Sequence, residues 1–155
     1  VDSSAVNMAV AGMYTVTVSY NGLTASYDVT VQNASVQTVT TSIVFKDLGY
    51  SNGDEVPSVT KDDVAITFAL GSNTNNNTAK YYDTGTGVRT YVGNTITVSC
   101  EYDMVAIEFT YAGSSYNKIS ADGYSGTTWS GNAKEVVFNS TGTTRIQAIT
   151  ITYTK

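Results

Sequence analysis

The residues 80–91 concentrate the side chains that recognise sugars: three tyrosines, Lys80 and Arg89, the latter one of two arginines in the chain. An aromatic ring packs on the C–H face of a pyranose while charged and amide groups bond its hydroxyls, and tyrosine combines an apolar body with a polar tip. Alternation along Lys80-Tyr81-Tyr82 and Val88-Arg89-Thr90-Tyr91 must turn part of this set inward. Tyr81 and Tyr91 therefore also read as core aromatics on adjacent strands, and Arg89 as a partner of Asp83 that pins the turn at 84–87. Tyr82 and Arg89, with Lys80 beside them, are the surface candidates for ligand contact.

A second aromatic group, Tyr116, Tyr124 and Trp129, lies in Gly/Ser-rich sequence near Asp122. Loop aromatics suit an adjustable binding rim, which makes Tyr124 and Trp129 further candidates. The competing reading has Trp129 plugging the open end of a sandwich. The polar tract at 73–77, Asn-Thr-Asn-Asn-Asn, has no apolar anchor and reads either as a source of amide contacts to a glycan or as a solvated loop tip.

Acidic pairs stand at Asp54-Glu55 and Asp62-Asp63, with Asp47 nearby. Hard oxygen ligands of this kind hold Ca²⁺ in many β-sandwich modules, so Asp54, Glu55 and Asp62 are candidate ligands of a structural calcium, although no EF-hand spacing is present. No other cofactor is expected. As a glycosidase pair these acids would need a fixed separation of roughly 5–10 Å and one raised pKa, which spacing alone does not supply.

The chain has no histidine, which removes the commonest general base and the commonest metal ligand together. Ser-His-Asp triads, Cys-His pairs and histidine-bound zinc are excluded by inventory. The lone Cys100 has no partner for an internal disulfide and no neighbour that would activate it, and reads as a small apolar residue at a strand end. No enzymatic activity is expected. Eight Lys+Arg against thirteen Asp+Glu give a net charge of −5 over 155 residues, and nucleic acid, which needs clustered cations, is not an expected partner. No apolar run approaches the ~20 residues of a membrane-spanning helix.

The elements that must position these groups are strands. Apolar residues recur with period two at Tyr14/Val16/Val18/Tyr20, Tyr27/Val29/Val31, Ile43/Phe45, Val64/Ile66/Phe68/Leu70, Ile96/Val98, Val105/Ile107/Phe109/Tyr111, Val136/Phe138 and Ile149/Ile151/Tyr153. Gly/Asn/Asp/Ser clusters separate them, and Asn21-Gly22 is a strong hairpin signal. Val6, Met8 and Val10 offer a third short strand before the hairpin. Strands at roughly 8–12-residue spacing predict an all-β, antiparallel sandwich of jelly-roll type. Its core is expected to hold Ile43, Phe45, Ile66, Phe68, Ile96, Val98, Ile107, Phe109, Val136, Phe138, Ile149 and Ile151, which share the inward parity of their strands.

The weakly patterned stretch 34–38 separates residues 1–33 from 38–155. The run from Ala11 to Val31, with its G-x-Y-x-V-x-V-x-Y-N-G pattern at Gly12–Gly22, resembles the closing strands of a bacterial Ig-like domain. That resemblance implies a spacer in a multidomain surface protein whose opening strands lie elsewhere, with Val1 an internal boundary. Residues 38–155 carry Phe45-Lys46-Asp47-Leu48-Gly49, the segment 80–91, Gly93-Asn94-Thr95-Ile96-Thr97-Val98 and the stretch from Arg145 to Tyr153. They resemble a domain recurring in secreted multidomain proteins of gut-type bacteria, often beside Ig-like repeats or hydrolases. This second resemblance implies a non-catalytic, carbohydrate-binding or adhesion module, extracellular or at the cell surface. Two functions stay open: binding of a glycan or polysaccharide through exposed Tyr, Trp and Arg, or a structural spacer, stalk or filament unit that pairs strands with other copies or neighbouring domains.

Overall fold

The computed structural model describes residues 6–32 and 36–155. The chain divides into two compact units, Val1–Val36 and Gln37–Lys155.

The first unit is built on a hairpin of β1 (Gly12–Tyr20) and β2 (Leu23–Val31), paired antiparallel from Gly12↔Val31 to Tyr20↔Leu23. Asn21 and Gly22 both take positive φ, 47° and 80°, the turn whose twist matches that of the flanking strands. One face collects Tyr14, Val16, Val18, Ala25, Tyr27 and Val29, while Thr15, Thr17, Ser26 and Asp28 occupy the other. Residues 6–10 do not form the expected third strand. The Asn7 side chain accepts a hydrogen bond from the Ala9 N–H, and Val10 N–H donates to Asn7 O, so the chain turns instead of extending.

The second unit contains β3 (Thr38–Val44), β4 (Ser58–Lys61), β5 (Val64–Ala69), β6 (Lys80–Tyr82), β7 (Gly87–Arg89), β8 (Thr95–Tyr111), β9 (Ile119–Ser120), β10 (Tyr124–Ser125), β11 (Thr128–Ser140) and β12 (Ile146–Thr154). The two long strands β8 and β11 organise it. Their paired halves form the middle of one sheet, flanked by β5 and β4 on one side and β9 on the other. Their other halves form the middle of a second, flanked by β12 and β3 and by β10. Register shifts in β11 after Ser130 and Ala133, and in the β8–β12 ladder near Met104, mark where the strands bend from one sheet into the other. The two sheets face each other across an aromatic core, in which Phe109 of one half meets Phe138 of the other at a 4.8 Å ring separation and Phe45 meets Phe68 at 6.0 Å. The result is an antiparallel β-sandwich with all twelve core residues expected from alternation buried. Cys100 is buried as a strand residue. The fold contains no α-helix among the described residues, and none long and apolar enough to cross a membrane.

One departure concerns β8. Polar Glu101, Tyr102 and Asp103 divide the apolar pattern into two apparent strands, yet the backbone runs through as one of 17 residues. The register shift changes the inward parity, so Met104 is fully buried and Val105, expected inward, is only half-buried.

Candidate functional site

The hairpin β6–β7 presents the site. Its pairs are Lys80↔Arg89, Tyr81↔Val88 and Tyr82↔Gly87. Tyr81 and Val88 turn into the core, as alternation requires, which leaves Lys80, Tyr82 and Arg89 on the outer face. Residues 53–56 run antiparallel along the free edge of β6: Gly53 N–H donates to Tyr81 O, Tyr81 N–H to Asp54 O and Val56 N–H to Ala79 O. Glu55 is thereby set opposite Lys80. Glu55, Lys80 and Arg89 form one row across three adjacent segments.

A cleft of about 160 Å³ opens beside this row, lined by Glu55, Asn76, Asn77, Thr78, Lys80, Tyr82 and Tyr91. Glu55 Oε1 accepts from Thr78 Oγ1 at 2.9 Å and lies 3.8 Å from Lys80 Nζ. The hydroxyls of Tyr82 and Tyr91 are 3.5 Å apart. Burial and the neighbouring Tyr82 hydroxyl raise the pKa of Tyr91, so its O–H stays a neutral donor and acceptor. The Arg89 guanidinium lies 4.0 Å from the centroid of the Tyr82 ring, a cation–π contact that holds both side chains.

The cleft walls are tied down from behind. Asn94 is 1% exposed. Its Oδ1 accepts from Tyr91 N–H at 2.8 Å, and its Nδ2 donates to Asn77 O at 3.0 Å and Leu70 O at 3.3 Å, joining the two walls. Asn73 Oδ1 accepts from Asn75 N–H and Asn77 N–H while its Nδ2 donates to Val92 O. The Asn tract is therefore an anchored wall of the cleft and not an unanchored loop tip. Gly93, at φ 87°, permits the close approach: a Cβ there would lie 2.7 Å from Asn73 N. Under the hairpin, buried Thr90 bonds Ser140 Oγ at 2.7 Å and Thr144 Oγ1 at 2.8 Å, which fixes the strand carrying Arg89.

Three of the sequence candidates, Lys80, Tyr82 and Arg89, thus meet on one face. The pairing of Arg89 with Asp83 does not occur: no ion pair joins them, and the guanidinium goes to the Tyr82 ring. Trp129 is corrected from a rim residue to a core residue. It is 6% exposed, and its indole N–H donates to Asp122 O at 2.9 Å, so no face is free to receive a sugar. Tyr124 is half-buried and packs against the core, edge-on to Phe109 and Phe138 with its O–H donating to Asn117 Oδ1 at 2.8 Å and lying 3.0 Å from the Tyr111 hydroxyl. Burial raises the pKa of both tyrosines.

The candidate calcium ligands do not gather. Asp54 Oδ2 accepts from Ser51 N–H, Glu55 serves Thr78 and Lys80, and Asp62, in the β4–β5 turn at φ 52°, accepts from Thr41 Oγ1. Among the described residues no three carboxylate, thiol or imidazole groups converge as a metal site. Glu55, read from the sequence as a calcium ligand, and Thr78 and Asn94, which sequence reasoning did not assign, complete the site. Asn94 stands in a Gly-Asn-Thr run ahead of a strand, a turn signal whose long-range bonds no local pattern reveals.

The second unit is a small antiparallel sandwich with a walled polar cleft on one edge hairpin. Compared with known families, residues 1–31 match the model of the bacterial Ig-like domain (group 3). No curated protein and no solved structure matches the chain.

Proposed function

We propose that the chain is a non-catalytic module of a bacterial surface or secreted protein, in which the second unit binds carbohydrate at the cleft between β6 and the Asn tract. The observation that carries this reading is the convergence of two amide side chains, three hydroxyls and one charge pair on a single preorganised depression. Sugars present dense, directional hydroxyl groups, and such sites succeed by fixing donors and acceptors before the ligand arrives. Tyr82 contributes its hydroxyl, while its ring carries the Arg89 guanidinium. Catalysis is disfavoured by the same inventory, since Glu55 alone among the lining residues carries a carboxylate and glycoside hydrolysis generally needs two. The Ig-like match at residues 1–31 supports a spacer role for the first unit and an extracellular setting.

A glycan array probed with the intact chain tests the reading, followed by calorimetric titration of any ligand found. Tyr82→Ala and Asn77→Ala are expected to weaken binding by roughly 5–150-fold, the loss typical of a contact worth ~1–3 kcal/mol, with the circular dichroism spectrum unchanged. Full binding by both variants, or no binding to any glycan, overturns it.

A further inference from the structure

The outer row Glu55, Lys80, Arg89 contains an electrostatic mismatch. Lys80 and Arg89 are directly opposed partners of an antiparallel ladder and share one face. Side chains so placed have Cβ atoms about 4.5–5.5 Å apart, where like charges repel. The chain carries only eight Lys and Arg and a net charge of −5, so a surplus of cations does not force two of them together. One carboxylate serves the pair, and it leans to one side: Glu55 is 3.8 Å from Lys80. With side chains 38% and 63% exposed, that ion pair is screened and easily exchanged. Arg89 makes no ion pair or side-chain hydrogen bond among the described residues, and its buried Nε is unpartnered. Its guanidinium is held against Tyr82, a ring that also lines the cleft. A planar donor fork without an acceptor stands beside an ammonium group at the edge of a hydroxyl-binding depression.

We infer that the cleft is selective for anionic glycans, with the carboxylate or sulfate of an acidic sugar received between Arg89 and Lys80 while its hydroxyls face Asn77, Thr78 and Tyr91. The inference rests on the carbohydrate-binding reading and adds the charge class of the ligand. Arginine matches planar oxyanions with two parallel hydrogen bonds, and an anion at this place relieves the opposition of the two cations. No proton or covalent bond is exchanged. Because the groups are near the surface, the preference is salt-dependent.

The test is a titration of the intact chain with three oligosaccharides of one length: an oligogalacturonate, the neutral oligogalactose obtained on reducing its carboxyl groups, and a sulfated form of the latter. At low salt the acidic forms are expected to bind at least tenfold tighter than the neutral one, and the advantage is expected to shrink at 0.5 M NaCl. Arg89→Gln and Lys80→Gln should each remove most of that advantage, read as the ratio of acidic to neutral affinity measured on the same variant, and Arg89→Lys should keep part of it. The uronate and sulfate arms tell which anion is preferred. Equal binding of all three, or array hits confined to neutral glycans, overturns the inference and leaves the carbohydrate-binding reading standing. Failure of every glycan on the array overturns both. Thermal melts of the variants separate loss of the site from loss of the fold.

Discussion

Removing the Asn94 side chain tests whether the cleft is preorganised or merely present. In Asn94→Ala the Tyr91 N–H loses its 2.8 Å acceptor, and the carbonyls of Asn77 and Leu70 lose donors at 3.0 and 3.3 Å. Each net hydrogen bond is worth about 1 kcal/mol, and groups left buried without partners cost more. Solvent can reach part of the exposed tract at 73–77 and recover some of that loss, so the expected destabilisation is about 2–4 kcal/mol. Asn94→Asp separates the contributions. It keeps the acceptor for Tyr91 N–H but loses both donors, and it sets a carboxylate beside two carbonyl oxygens in a buried place, which raises its pKa. The folded state then binds a proton that the unfolded state has released, so stability falls as pH rises through the ordinary carboxylate range. Urea denaturation at pH 4 and pH 7 reads both effects. The Asp variant should be the weaker of the two substitutions at pH 7 and should recover on acidification. An Asn94→Ala protein within ~0.5 kcal/mol of the parent would falsify the claim that this side chain ties the walls together.

Three further outcomes follow from the same structure. Trp129→Ala is expected to lower stability by about 3–5 kcal/mol, the range for deleting a buried aromatic, and to leave ligand affinity per folded molecule unchanged, as titration after correcting for active fraction would show. Tyr124→Phe leaves the hydroxyl of Tyr111 and the Oδ1 of Asn117 without their partner, and calorimetric melting should report a loss of about 1–3 kcal/mol. Hydrogen bonds from Lys155 and Tyr153 hold the Asp63 carboxyl below its ordinary pKa. A carboxyl so lowered contributes stability above its unfolded pKa and loses it as pH falls through the folded value. Melting temperatures of Asp63→Asn between pH 2 and 7 should therefore fall less steeply on acidification than those of the parent.

Much of the sandwich was legible because one inner face obliges strands to alternate, and a residue such as Ile66 or Phe138 declares its side by parity alone. Parity fails where a strand takes in an extra residue. Met104 and Val105 exchange roles for that reason, and nothing local in Glu101-Tyr102-Asp103 says that the backbone continues straight through and then bends. The candidate site was legible in part for a related reason. Lys80, Tyr82 and Arg89 were set outward by the same alternation that buries Tyr81 and Val88. Glu55 and the tract at 73–77 join them through contacts that span from 17 to 25 residues, which no short pattern encodes. Trp129 misleads because its flanking Gly and Ser look like a loop. Gly131 is there because a Cβ would come within 2.5 Å of the Trp129 ring, so the small residues signal close packing over the indole and not exposure.

The period of two also explains why an edge hairpin can hold a binding site rigidly. Each outward residue of the β6–β7 hairpin shares a peptide bond with one that the core immobilises: Lys80 and Tyr82 flank Tyr81, and Arg89 lies between fully buried Val88 and Thr90. Displacing an outer Cα by an ångström would therefore require moving a packed neighbour, whereas its side chain can be exchanged at little cost to the core. Hydroxyl bonds from Thr90 to Ser140 and Thr144 extend that fixation to strands distant in sequence. Such a surface can sustain the uncompensated opposition of Lys80 and Arg89, since repulsion between half-exposed cations is small beside the burial of Tyr81 and Val88 beneath them. The fold can thus bear the mismatch without a ligand, and an anion that enters between the two cations meets groups already in place.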